Sequence, residues 1–182
     1  MQTPVLILPG IGGSGPEHWQ TRWEIKHPEI RRVQQDEWNA PVCRNWIERL
    51  ETAVSKSGPR TVLVAHSLGC LLVAHWATRT RHSIRGALLV APPDPAMPCF
   101  PRRAVGFTPV PLRPLAFPST LVASPDDPYA SPEYARRCAA AWGSRFVEIA
   151  PCGHINASSG LGDWEEGLEL LRGLLEDWKP TQ

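Results

Sequence analysis

The sequence predicts an α/β fold: a mostly parallel sheet of about six strands, with helices packed on both faces. Three observations carry this expectation. Short apolar runs such as VLIL at Val5 to Leu8, ALLVA at Ala87 to Ala91 and TLVAS at Thr120 to Ser124 are unbroken, as in strands buried on both sides. Between such runs lie stretches whose apolar residues recur about once per helical turn. The two kinds of segment alternate along the chain, the pattern of a parallel sheet whose strands are joined by helical crossovers.

Each element has its own signal. The first strand, Val5 to Leu8, ends in PGIGGSG. Ser14 and Glu17 stand at capping-box spacing around Pro16, which predicts a helix starting near Ser14 and running past Trp19 and Trp23. A short second strand is expected around Ile30 to Gln34. Pro41 opens a helix whose apolar face is Val42, Trp46, Leu50 and Val54, and Gly58 with Pro59 ends it. The third strand lies in the run Thr61 to Gly69, TVLVAHSLG, and passes at Leu68 into a helix reaching about Thr80. ALLVA and TLVAS supply the fourth and fifth strands, and FVEIA at Phe146 to Ala150 the sixth. Ser131 and Pro132 start a helix with Tyr134, Cys138 and Trp142 on one face. The last helix is expected to bury Trp164, Leu168, Leu171, Leu175 and Trp178.

The exception is Pro92 to Pro118, dense in proline and without regular periodicity. So long an irregular segment in a compact domain is often functional. Its apolar residues can line a pocket, with Gly10, Gly12, Phe107 and Leu112 as the candidates, or wrap over one sheet edge.

At 182 residues, 42% of them hydrophobic, the chain is expected to form a single domain spanning residues 1–182, with no separate lid domain. A net charge of +1 gives no global field for nucleic acid or an anionic membrane. VLIL is too short for a signal peptide or membrane span, so a soluble, cytoplasmic protein is expected. Five scattered cysteines, Cys43, Cys70, Cys99, Cys138 and Cys152, include no Cys-x-x-Cys pair. They imply neither a disulfide framework nor a zinc site, and each is expected to act as a small buried hydrophobe.

The chemistry is concentrated at TVLVAHSLG. An apolar strand ends there on Ser67 between small residues and a helix begins at once, the form of a nucleophile elbow in α/β-hydrolases. Ala65 stands where the motif has glycine, and Gly69 keeps the second small position, both small because strand and helix backbones approach closely. A serine capping a helix after any buried strand would give the same local pattern. What separates the two readings is the rest of the chain. A serine nucleophile needs a base and a group to orient that base, in the order serine, acid, histidine along the chain. Ser67 follows the third strand, Asp127 the fifth in SPDDP, and His154 the sixth in PCGHIN. Asp126 and Asp94 are alternative acids, with Asp127 preferred for standing a few residues past the strand that precedes the histidine loop. His66 is expected to be structural, and His18, His75, Asp36 and Glu37 carry no catalytic motif.

Acyl transfer also needs donors for the developing oxyanion. The N–H groups of Leu68 and of Ile11 in the PGIGG loop are the candidates, provided the first and third strands lie side by side. A rival reading takes Gly10, Gly12 and Gly15 as a dinucleotide-binding G-x-G-x-x-G, with Asp36 as the ribose ligand. It leaves Ser67, Asp127 and His154 without a role, and Pro16, Glu17 and two tryptophans crowd the place of the pyrophosphate.

The stretches PGIGGSGPEHWQTRWE, QQDEWNAP, VLVAHSLGC, FPSTLVASPDDPY and GHINASSGLGDWEEG span nearly the whole chain. On them the chain resembles the YdeN-type serine hydrolases, small α/β-hydrolases related to the retinoblastoma-binding serine hydrolase. The resemblance implies a lidless sheet lacking the first two hydrolase strands, with Ser67, Asp127 and His154 as nucleophile, acid and base. Its Asp-Pro-Tyr pattern selects Asp127 over Asp126. Together these readings predict a serine hydrolase of the carboxylesterase type that cleaves small esters, amides or thioesters through an acyl-enzyme, with no metal or organic cofactor. A small acyl compound is its expected partner, and a protein partner is left open. The class-level alternative is a non-catalytic binding protein on a hydrolase fold.

Overall fold

The computed structural model describes residues 3–176. Six strands form one parallel sheet: β1 (Val5–Leu8), β2 (Ile30–Arg32), β3 (Val62–His66), β4 (Gly86–Val90), β5 (Ser119–Ala123) and β6 (Arg145–Glu148). Their order across the sheet is β2-β1-β3-β4-β5-β6, so β1 and β3 are neighbours and β2 lies outside β1. The chain reverses direction across the sheet after β2, and ligands bind at such switch points, beyond the carboxyl ends of the strands.

Side chains alternate between the two faces. Leu6 and Leu8 of β1 join Leu63 and Ala65 of β3 in one core, while Val5, Ile7, Val62 and Val64 join the other. The first core is closed by α2 (Cys43–Ser57), α3 (Leu68–Ala77) and α4 (Pro132–Trp142) through Trp46, Leu50, Leu71, Trp76, Cys138 and Trp142. The second is closed by α1 (Trp19–Lys26) and α5 (Glu165–Glu176), with Trp19, Trp23, Leu168 and Leu171 buried. Burial on both faces explains why these strands read as unbroken apolar runs.

Several ends differ from the sequence expectation, each for a local reason. The capping box at Ser14 and Glu17 does not form. Ser14 takes a positive φ of 51° and its hydroxyl donates to Gln20 Oε1 at 2.7 Å, so the helix starts only at Trp19. His18 caps it, Nδ1 accepting from the Gln20 N–H. Val42 is the N-cap of α2 rather than part of its apolar face, because it is extended in a bridge with Val105 and 38% exposed. Leu175 is half-buried rather than core, and Trp178 lies outside the described residues. Cys43, Cys70 and Cys138 are buried thiols, but Cys99 is exposed and Cys152 half-buried, both on loops above the carboxyl ends of the strands.

The proline-rich segment divides in two. Its later part wraps the first core: Phe107 is fully buried between Trp46 and His75, and Leu115 N–H donates to the Trp142 carbonyl at 3.0 Å. Its earlier part, around Phe100 to Arg103, turns toward the carboxyl ends of the strands.

Candidate active site

At the end of β3 the chain makes a sharp turn into α3. Ser67 sits on it at φ 54° and ψ −124°, a positive φ for a non-glycine residue. Such a conformation costs on the order of 1–3 kcal/mol and persists only where its surroundings enforce it. Here the Ser67 N–H is tied to the Val90 carbonyl of β4 at 2.9 Å. The hydroxyl makes no capping bond to α3, which removes the helix-cap reading. Gly69 keeps the turn tight, since a Cβ there would meet the Leu8 carbonyl oxygen at 2.2 Å.

Two loops bring partners to that hydroxyl. After β6, His154 enters with Nε2 2.8 Å from Ser67 Oγ. After β5, Asp127 Oδ2 lies 2.8 Å from His154 Nδ1, and Oδ1 lies 3.0 Å from the same nitrogen. A carboxylate only accepts, so Nδ1 carries the ring proton and donates it. Nε2 is then the free acceptor for the serine O–H. The His154 and Asp127 side chains are 9% and 4% exposed, which keeps competing water from their hydrogen bond.

Asp126 and Asp94 are placed differently. Asp126 Oδ1 accepts from Ser124 Oγ at 2.6 Å and from the N–H groups of Cys152 and Gly153 at 2.9 Å. Those bonds, led by the Ser124 hydroxyl, hold its carboxyl below the usual range. It fastens the loop that carries His154. Asp94 accepts from the Ala96 N–H at 2.8 Å in a local turn.

The histidine loop is anchored from below by α1. Trp19 Nε1–H donates to the Ile155 carbonyl at 2.8 Å, next to His154, and Trp23 Nε1–H to the Asp163 carbonyl at 2.5 Å. Trp19, Trp23 and Trp164 pack with ring centroids 4.7 to 6.0 Å apart. His66 Nε2–H donates to the His154 carbonyl at 2.9 Å, the structural part expected of it. Burial holds His66 well below the ordinary histidine value, so it stays neutral. His75 similarly bonds the Phe107 carbonyl at 3.0 Å, fixing the wrap.

Beside Ser67 lies a cavity of about 520 Å³, within the range of roughly 300–1,000 Å³ usual for small-molecule sites. Gly10, Ile11, Gly12 and Leu68 line it. Among the described residues, the N–H groups of Ile11 and Leu68 have no backbone acceptor. Phe107 and Leu112 do not line it: Phe107 is spent in the core against Trp46, and Leu112 is exposed beyond the wrap. Phe100, Pro101 and Tyr129 provide the apolar wall instead. Sequence reasoning missed His18 on this cavity, although the Pro16–Glu17 turn just before it is a sign that the helix starts late. It also missed Arg32 of β2, whose guanidinium donates to the Gly13 and Ser14 carbonyls and so fixes the glycine loop.

The dinucleotide reading loses its parts. Gly10 packs against Ser67, with a Cβ there only 2.9 Å from the serine Cβ. The first turn of α1 is capped by His18, and Asp36 is paired with Arg49. Among the described residues, no group of three or more His, Cys, Asp or Glu side chains is placed to hold a metal ion. No helix among them is long and apolar enough to cross a membrane.

An all-parallel sheet with a strained serine at a strand-to-helix turn, and a histidine and an aspartate converging on it from later loops, defines an α/β-hydrolase. Residues 5–173 match the serine hydrolase family, and the chain belongs to it, within its YdeN-type branch. A YdeN-like hydrolase from Pectobacterium atrosepticum is 33% identical over 98% of this chain and 94% of its own, with a TM-score of 0.86. The ydeN gene product of B. subtilis, 18% identical, superposes with a TM-score of 0.79 over 97% of this chain and 100% of its own. A thermophilic esterase from Thermogutta terrifontis shares the fold at 17% identity and a TM-score of 0.69, over 96% of this chain and 90% of its own. No curated protein sequence matches the chain.

Proposed function

We propose that this serine hydrolase cleaves small carboxylic esters through an acyl-enzyme, with Ser67 as nucleophile, His154 as general base and then acid, and Asp127 holding the imidazole. The observation that carries the reading is the continuous path Asp127 Oδ2 to His154 Nδ1 and His154 Nε2 to Ser67 Oγ, each span 2.8 Å. Ser67 Oγ attacks the ester carbonyl carbon as its proton passes to His154 Nε2. The resulting imidazolium is stabilised by the Asp127 carboxylate. Negative charge on the carbonyl oxygen is met by the N–H groups of Ile11 and Leu68, donors already fixed by the glycine loop and the elbow. Collapse breaks the bond to the alcohol oxygen, which leaves with the proton from Nε2. Water, deprotonated by the same nitrogen, then attacks the acyl-serine and releases the acid.

The carboxylester class is favoured over amides because an alcohol leaves more readily than an amine and the site is open to small acyl groups. Thioesters react by the same steps. The test is turnover of p-nitrophenyl acetate together with fluorophosphonate labelling. Ser67→Ala should abolish both, and a folded Ser67→Ala protein with unchanged turnover rules the mechanism out.

A further inference from the structure

The cavity beside Ser67 carries an uneven charge. Among its lining residues Arg103 is the one Arg, Lys, Asp or Glu side chain, so the wall holds a permanent cation and no exposed carboxylate. The carboxylates nearby are engaged elsewhere. Asp127 is bound to His154, Asp126 to the Cys152 and Gly153 N–H groups, Asp94 to the Ala96 N–H, and Glu17 to Arg22 at 2.5 Å. Arg103 has no ion pair or hydrogen bond among the described residues. Arg102 precedes it, so the stretch 100–103 on this side of the cavity carries two arginines and no acidic residue, while the chain is nearly neutral. Beside Arg103, Phe100 and Pro101 form an apolar wall. Low-dielectric walls of this kind focus the field of a nearby charge into a cleft.

An unpaired guanidinium at the mouth of such a cleft is a fork for a planar anion, since its N–H groups match both oxygens of a carboxylate. We infer that the substrates of this site are esters carrying a carboxylate away from the scissile bond, which Arg103 binds while Ser67 attacks. The inference rests on the serine-esterase reading above and names the substrate class within it. Arg103 is a specificity residue, acting on the remote charge and not on the reacting atoms.

The experiment compares two acidic esters with their primary amides, which have the same shape without the charge. The p-nitrophenyl monoester of adipate places the acid on the acyl side, and p-acetoxybenzoate places it on the leaving group. For each pair the readout is the ratio of kcat/KM for acid over amide, in the wild type, Arg103→Ala and Arg103→Glu. In at least one pair the ratio should fall about tenfold in Arg103→Ala and further in Arg103→Glu. In the wild type it should shrink as salt rises from about 0.05 to 0.5 M, because an exposed pair is screened. The pair that responds tells which side of the ester the cation reads. A fall of less than threefold in both pairs overturns the role of Arg103 and leaves the esterase reading standing. Absence of turnover on all four esters, with no fluorophosphonate labelling of Ser67, overturns that reading itself and the inference with it.

Discussion

Gly10 and Ser67 are packed so closely that a methyl group on the glycine would stand 2.9 Å from the serine Cβ and 3.3 Å from its Oγ. The glycine loop and the turn that carries Ser67 thus define each other's position. Gly10→Ala must push Ser67 away from His154, and a displacement of about 1 Å can cost on the order of 10²-fold in rate. The expected outcome is a folded protein, by circular dichroism and thermal melting, with kcat reduced about a hundredfold. Gly69→Ala provides the contrast. Its Cβ would overlap the Leu8 carbonyl oxygen at 2.2 Å, a backbone atom of β1 that has nowhere to go. Loss of soluble, folded protein is expected there, and a Gly69→Ala enzyme with native melting behaviour would refute the account.

Adjacent aspartates in SPDDP should separate cleanly by mutation. Asp127→Asn keeps the shape but can hold the imidazole in the wrong tautomer, an effect worth about 10⁴ in kcat where a Ser-His-Asp triad operates. Asp126→Asn retains an oxygen for the Ser124, Cys152 and Gly153 donors and removes only their charge assistance. Its kcat should fall about tenfold or less. Steady-state kinetics on p-nitrophenyl acetate decides, and equal losses from the two variants would contradict the division of labour.

The parallel sheet and the positions of Ser67, Asp127 and His154 at strand ends were legible because they rest on local signals: apolar runs, small residues at a turn, and loop positions after successive strands, whereas the adjacency of β1 and β3 entered only as a condition on the oxyanion donors. What failed depended on contacts remote in sequence. Phe107 looked as suited to a pocket as Phe100, and nothing local revealed that Trp46 and His75 would enclose it. Leu112 was misplaced for the same reason, since a proline-rich chain has no period to show which side faces in. The cap of α1 was misread because Ser14-x-x-Glu17 satisfies the pattern of a capping box. The tight run through Gly12, Gly13 and Ser14, all at positive φ, instead directs that serine to Gln20.

Trp19 links the first helix to the histidine loop. Its indole N–H donates to the carbonyl of Ile155, a fully buried residue held at φ 49°. Trp19→Phe leaves that carbonyl without its donor, a loss of about 1–3 kcal/mol, and thins the packing against Trp23 and Trp164. Urea unfolding should show a destabilisation of about 2–3 kcal/mol. Since Ile155 follows His154 directly, kcat should fall too, while an unchanged unfolding midpoint would show that the anchor carries no load.

His18 makes the fold sensitive to mild acid. Burial, with the charge of Arg32 adding to it, lowers its value from 6.5 to about 4. Gln20 N–H donates to Nδ1, a bond that the doubly protonated ring cannot accept. Between pH 4 and 6.5 the unfolded chain therefore binds a proton here that the native protein does not, so stability rises with pH across that window and is fully present above 6.5. Below pH 4 the loss is complete, and for a side chain in a residue only 4% exposed it is on the order of 3 kcal/mol. His66, also held neutral by burial, acts in the same direction. The dependence can be assigned by comparing the wild type with His18→Asn, which keeps an acceptor for the Gln20 N–H but does not titrate. From pH 7 to pH 4.5 the wild type should lose about 2 kcal/mol more stability in urea than His18→Asn. Parallel losses in the two proteins would remove His18 as the source.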